Sequence, residues 1–280
     1  MPTYLNCYEL VEEVRYGLND HSTNKVTGTD TSGAFQNAHI IKKINDSQRY
    51  LHGIIFTRKP ELFLTSTTIT MSDSTGSLPS DFFKLRRLEN SDGVKIHPIS
   101  LDEKHTGSYS GEEYLYYRYG NTIVCDATGF SETLTLWYFT RCRDITMGQA
   151  SGGGAKSITL ATTARLEADY YNGMKIENYT QGWIDTISDY SAARVATITE
   201  TAAEDDYYGI ISELPESFHH LIAPKAIIMM KSLPQSPVKP SPADYRDFED
   251  MLKEAVSSYC GTSDSDVTME SIIYDFEPYM

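Results

Sequence analysis

The apolar residues of this chain recur with two different periods, and the change of period limits the fold more than any single motif. Near the start, Leu5, Tyr8, Val11, Val14 and Leu18 recur at helical spacing. Residues 19–34, rich in Asn, Thr, Ser, Gly and Asp, read as a loop. The segment "FQNAHIIKKINDSQRYLHGIIF" (35–56) then puts Ile40, Ile41, Ile44, Leu51, Ile54 and Ile55 on one stripe. Pro60 ends any helical continuation. From 61 to about 143 the period falls to two, in "LFLTSTTITM", "FKLRRLEN", "YLYYRYGNTIVC" and "ETLTLWYFTRC". The turns Ser91-Asp92-Gly93 and Tyr119-Gly120-Asn121 separate these strands.

The Gly-rich "GQASGGGAK" (148–156) reads as a flexible joint. Five short strands follow over about 157–212: "SITLAT", "GMKIENYT", "WIDTISDY", "ARVATIT" and "YYGIIS". They predict a small barrel or sandwich. Helical spacing returns with Phe218, Leu221, Ile222, Ile227 and Ile228, and Pro224 predicts a kink near His220. Ser241, Pro242 and Asp244 predict the capped start of a last helix, with Tyr245, Phe248, Leu252 and Val256 on one face and Gly261 as its stop. The final residues mix acidic and aromatic groups and read as an extended arm, ordered only by a partner.

The expectation is an α+β fold: a helical bundle built from both ends of the chain, with β-strand insertions that include a small five-stranded barrel or sandwich. The bundle core spans 1–60 and 213–260, a β-rich segment spans 61–147, the inserted small β domain spans 148–212, and the C-terminal arm spans 261–280.

A formal net charge of −15 argues against a general nucleic-acid binder, because phosphate contacts need Lys and Arg. An acidic surface does suit a protein that DNA must slide past, although solubility alone explains it as well. The 20 tyrosines suit half-buried strands and wet subunit interfaces equally. Cys7, Cys125, Cys142 and Cys260 show no metal or redox spacing. The opening Met1-Pro2-Thr3-Tyr4 lacks the pattern of a secretion leader, and no stretch approaches the roughly 20 apolar residues of a membrane span.

Sites with chemistry are hard to assemble. In "GQASGGGAKS", Ala155 separates Gly154 from Lys156 and a strand follows, so both spacing and context of a phosphate loop fail. Glu216 with His219 is half of a di-iron set without a second copy, which favours a packing or capping role for His219 and His220. Asp205-Asp206 reads as a solvated loop, and Asn178-Tyr179-Thr180 as a sequon without meaning in the absence of a leader. Arg86, Arg87, Arg141 and Arg143 flank strands, and inter-subunit ion pairs are the expected use. The chain is expected to be no enzyme, with no metal and no cofactor.

Five segments occur in a telling order: "INDSQRYL", then "LPSDFFKLRRLE" and "IHPISLDE", then "ETLTLWYFTR", and finally "LPESFHHLIAPKAI". Together they resemble the head-to-tail adaptor (connector) proteins of short-tailed and related phages, over about 44–143 and 213–256, with an inserted phage-type β module between. The resemblance implies a structural virion protein of the tail or neck, assembled in the host cytoplasm. It implies a ring, usually of about twelve copies, that binds the portal protein above and a tail nozzle or tail tube protein below. DNA would pass through its channel without sequence-specific binding, and no membrane is involved. Candidate interface residues are Phe82, Phe83, Arg86 and Arg87, with Tyr274, Phe276 and Tyr279 of the arm. The alternative is a receptor- or glycan-binding tail fibre or spike component that uses Trp183 and the tyrosines of the small β domain.

Overall fold

A computed structural model describes residues 5–20, 35–100, 115–126, 129–234 and 236–260. The chain divides into two compact units, one of residues 60–141 and the other of 1–59 with 142–280.

The first unit opens with a 3₁₀ turn, Pro60–Phe63, and its described residues continue in seven strands. These are β1 (Leu64–Thr70), β2 (Thr75–Ser77), β3 (Phe82–Glu89), β4 (Lys95–Pro98), β5 (Leu115–Tyr119), β6 (Thr122–Cys125) and β7 (Thr133–Thr140). They form one sheet in the order β1-β7-β3-β4-β5-β6-β2, with only β4 and β5 pairing in parallel. The short link between the edge strands β1 and β2 carries a Ser72–Thr75 bridge, and the sheet curls into a nearly closed barrel. Alternation dictates which side faces in. Along β7, Leu134, Leu136 and Tyr138 are buried while Thr133 and Trp137 are exposed. Ile69, Leu88, Ile96 and Ile123 join them in the core. Gly93 and Gly120, both at positive φ, turn the β3–β4 and β5–β6 hairpins where the sequence predicts them.

Among its described residues the second unit holds four α-helices: α1 (Cys7–Gly17), α2 (Asn37–Arg58), α3 (Ile222–Lys231) and α4 (Pro242–Cys260). It also holds β8 (Met147–Gln149), β9 (Gly152–Gly154), β10 (Ser157–Thr159), β11 (Lys175–Asn178), β12 (Trp183–Thr186), β13 (Asp189–Tyr190), β14 (Val195–Thr197) and β15 (Tyr207–Ile210). These strands make two antiparallel sheets, β13-β14-β10-β9 and β12-β11-β15-β8. Helix α1 starts at a capping box: the Asn6 side chain accepts from the Glu9 N–H, and the Glu9 carboxylate accepts from the Asn6 N–H. The predicted box at α4 is present too, with Asp244 Oδ2 accepting from the Ser241 N–H at 2.6 Å and Ser241 Oγ accepting from the Asp244 N–H at 3.2 Å. Lys59 Nζ donates to the Tyr259 carbonyl at 3.0 Å, a cation at the negative end of α4.

The architecture corrects the expected helical bundle. Among the described residues there are four α-helices against fifteen strands in three sheets, so the fold is β-rich. The helical periods do become helices, but α1 packs on β8 and β15 as well as on α2 and α3. Its apolar stripe is shared with a sheet, so the helices do not close a core on themselves. A five-stranded module is corrected too, since eight strands in two sheets occupy 147–210.

The Gly-rich stretch is not a joint. Gly152–Gly154 is β9, paired in register with β10, and a Cβ on Gly153 would stand 2.3 Å from the Ala202 carbonyl oxygen. Glycine here permits close backbone approach rather than motion. Pro224 likewise does not kink a continuous helix. A 3₁₀ segment, Glu216–Leu221, precedes α3, and Pro224 sits in the first turn of α3, where a missing N–H costs no intrahelical bond.

Candidate docking surfaces

The polar residues of the sequence motifs fasten the fold to itself. On α2, Asn45 exchanges two hydrogen bonds with the Ile145 backbone, of 2.8 and 3.0 Å, and Ser47 Oγ donates to the Ile222 carbonyl at 2.9 Å. In the barrel, Tyr138 OH donates to Asp81 Oδ1 at 2.9 Å. His219 is fully buried, with Nε2 at 2.8 Å from the Leu214 carbonyl and Nδ1 accepting from the Leu5 N–H at 3.3 Å. That pairing fixes the neutral tautomer, and burial pushes its pKa down, so it is a structural post. Arg143 is buried and grips Glu213 from Nε at 3.0 Å, while its Nη1 donates to the Tyr170 and Asn172 carbonyls. The expected inter-subunit role of Arg143 is therefore corrected to a joint within one chain. Asp206 is no solvated loop residue either. It is buried and accepts from Asn178, Gln181 and the Ala203 N–H, and the sequon Asn178 is fully buried. Among the described residues no group of His, Cys, Asp and Glu has the arrangement of a metal centre.

Strand β3 presents residues outward. Its pairing with β7 shifts twice, between Phe82 and Lys84 and between Leu85 and Arg87. Phe83 and Arg86 are the extra residues of these two bulges, and both are exposed. A bulge bends the strand and re-aims the side chain at its extra residue. Phe82 points the other way. It is buried, stacks on Tyr138 with ring centres 5.7 Å apart, and carries the Arg118 guanidinium 5.0 Å from its ring centre. Arg87 pairs with Glu89 at 2.5 Å, and Glu89 also accepts from the Trp137 indole at 3.2 Å. The outer side of β3 is thus aromatic and basic: Phe83, Lys84 and Arg86, with Arg87 held by Glu89.

A second surface lies on α1 and α3. An open groove of about 500 Å³ is walled by Tyr16, Gly17, Ala223, Pro224 and Ile227, with Glu12 and Glu13 at its rim. Gly17 lets the two helices close up, since a Cβ there would stand 2.4 Å from Ile227 Cδ1. Tyr16 is 75% exposed. One turn and two turns before it, Glu12 and Tyr8 share its side of the helix. Tyr8 stacks on Tyr179 at 4.6 Å, and burial together with Glu12 pushes its hydroxyl up to about 12. A larger cleft, of about 510 Å³ beside α2, is charged, and Asp144 there bridges Arg49 and Arg165.

A protein-family model described as SU10 adaptor protein matches residues 5–161, more than half of the 280-residue chain. The chain belongs to the SU10 adaptor protein family. No curated protein matches it. Membership agrees with the resemblance to phage head-to-tail adaptors drawn from the motifs and makes the chain a structural adaptor component of a phage virion. The adaptor match takes in α1, α2, the whole barrel unit and β8 to β10. It includes the segments at 78–89, 98–103 and 134–143 and ends before the one at 214–228.

Of the candidate interface residues, Phe82 is spent in the barrel core, Phe83 and Arg86 stand on bulges, and Arg87 is paired on the surface. Tyr274, Phe276 and Tyr279 lie outside the described residues. Trp183, the residue behind the glycan alternative, is half-buried and donates its indole N–H to the Thr201 carbonyl at 3.1 Å. The α1–α3 groove was not read from the sequence. Its one signal was Tyr16 and Gly17, a large exposed ring beside a residue with no side chain at the end of a helical stripe.

Proposed function

We propose that this adaptor works as a ring of about twelve copies that joins the portal of a phage to its tail. The portal protein binds above it and a tail nozzle or tail tube protein below. DNA passes through the ring without sequence-specific binding, past a surface whose carboxylates repel phosphate, in keeping with a net charge of −15. Its place is the virion neck, after assembly in the host cytoplasm, and it turns over no substrate.

Family membership supports the adaptor role. The observation that carries the assembly role is the pair of bulges on β3, which turn Phe83 and Arg86 away from the barrel core. Outward aromatic and arginine residues are the types enriched where proteins bind one another. Labelled virions imaged by electron microscopy test the reading. The label is expected at the one vertex where head meets tail. Label at the tips of peripheral fibres would contradict the reading and favour the receptor-binding alternative.

A further inference from the structure

Two surfaces of this chain are complementary in charge and form. One is a projection: Phe83 on a bulge of β3, followed by the exposed basic residues Lys84 and Arg86. The other is the apolar groove between α1 and α3, of about 500 Å³, with Glu12 and Glu13 at its rim. Building on the ring reading, we propose that Phe83 of one copy seats in the α1–α3 groove of the next, with Lys84 and Arg86 against Glu12 and Glu13.

Charge selects this occupant. At a net −15, two copies repel on average, so a contact between them needs a local basic patch on one side. The β3 bulges supply one, and the groove rim supplies its acidic counterpart. The C-terminal arm is a poor occupant of the groove, because Asp264, Asp266, Glu270, Asp275 and Glu277 would meet Glu12 and Glu13. The groove's volume of about 500 Å³ leaves room for an aromatic ring, and its wall of Tyr16, Ala223, Pro224 and Ile227 offers the ring apolar contact. Because the two patches are different, the contact is head-to-tail, the type that builds a ring when each step is a closing rotation about an axis. The edge of the groove also holds an exposed aromatic, Tyr16, of the kind that anchors interfaces.

The test uses the full chain in two charge-reversed forms, E12K/E13K and K84E/R86E, with assembly followed by mass photometry and folding by circular dichroism. All four positions are exposed, so both forms are expected to fold. Each alone should assemble at least about tenfold more weakly than the parent, since like charges then face each other across the contact. An equal mixture of the two should recover assembly in alternating rings, because every contact again pairs opposite charges. A chain carrying all four changes should recover it too. Phe83→Ala should weaken assembly without changing the fold.

Rings that form normally from either variant alone would overturn the pairing and leave the ring reading standing. A mixture of folded variants that stays dissociated would also overturn it. Loss of portal binding with self-assembly intact would give the groove to the portal instead. A parent chain that forms no ring, with or without portal protein, would overturn the ring reading and the pairing together.

Discussion

The barrel of 60–141 and the paired sheets of 147–210 are both antiparallel for the most part, yet they are held in different ways. Strands β1, β3 and β7 run seven or eight residues, and none of β8 to β15 exceeds four. The long strands alternate and bury an aliphatic and aromatic cluster that contains no carboxylate among the described residues. The short strands bury tyrosines whose hydroxyls hold the backbone. Tyr208 OH accepts from the Ala161 N–H at 2.8 Å, Tyr171 OH from the Arg165 N–H at 3.3 Å, and Tyr170 OH from the Asp144 N–H at 2.8 Å. Tyr171 packs edge-on against both Tyr170 and Tyr190. Short strands expose many backbone groups at their ends, and a long side chain with a polar tip can satisfy one of them without opening the core. Period-two alternation thus builds one sheet, while specific polar posts and glycine contacts build others in the same chain.

The largest effect that would sharpen this contrast is in the barrel. Leu136→Ala should cost about 3 to 4 kcal/mol, with hydrogen-exchange protection lost within 60–141 and kept in 147–210. Equal loss in both regions would erase the distinction. Next, Gly153→Ala should destabilise the second region by about 2 to 3 kcal/mol, because the obstacle to a Cβ is the backbone of Ala202 and Ala203 rather than a movable side chain. A flexible linker glycine would tolerate the change, so an unchanged melting temperature would restore the flexible-joint reading. Tyr208→Phe should cost about 1 to 2 kcal/mol by leaving the Ala161 N–H without its acceptor. If it costs nothing in chemical denaturation, the posts are not what holds these sheets.

The smallest effect is a pH dependence. Burial pushes the Asp206 carboxyl up, but hydrogen bonds from the Ala203 N–H, Asn178 and Gln181 outweigh it and leave the pKa below its ordinary 3.8. The stability Asp206 contributes is therefore complete above about pH 4 and is lost as pH falls through the depressed value. Acid titration should loosen 147–210 before the barrel, and Asp206→Asn should remove that difference in pH dependence. Loosening of the barrel first would reverse the comparison.

The sequence was most legible where one period repeated for long enough. The stripe of Ile40, Ile44, Leu51 and Ile55 gave α2, and Leu134, Leu136 and Tyr138 gave β7. In β3 the spacing from Leu85 to Leu88 breaks period two, and one of the strand's two bulges lies there. It failed where close approach decides the outcome. A run of three glycines has no side-chain pattern, so nothing in it distinguishes a strand from a joint until Ala202 lies against it. Short strands such as Asp189–Tyr190 are too brief to show a period. The candidate site was half legible. Phe83 and Arg86 are exposed on bulges, whereas Phe82 is buried because neighbouring strand residues face opposite sides. The groove joins Glu12 and Tyr16 to Pro224 and Ile227, some 200 positions away, and no local signal reports such a meeting.

The proposed ring requires this chain to act through copies of itself at the portal. Native mass measurement of the full chain mixed with purified portal protein tests that most directly. A closed assembly of many adaptor copies on each portal ring is expected. Single adaptor chains, or separate trimers that ignore the portal, would contradict it.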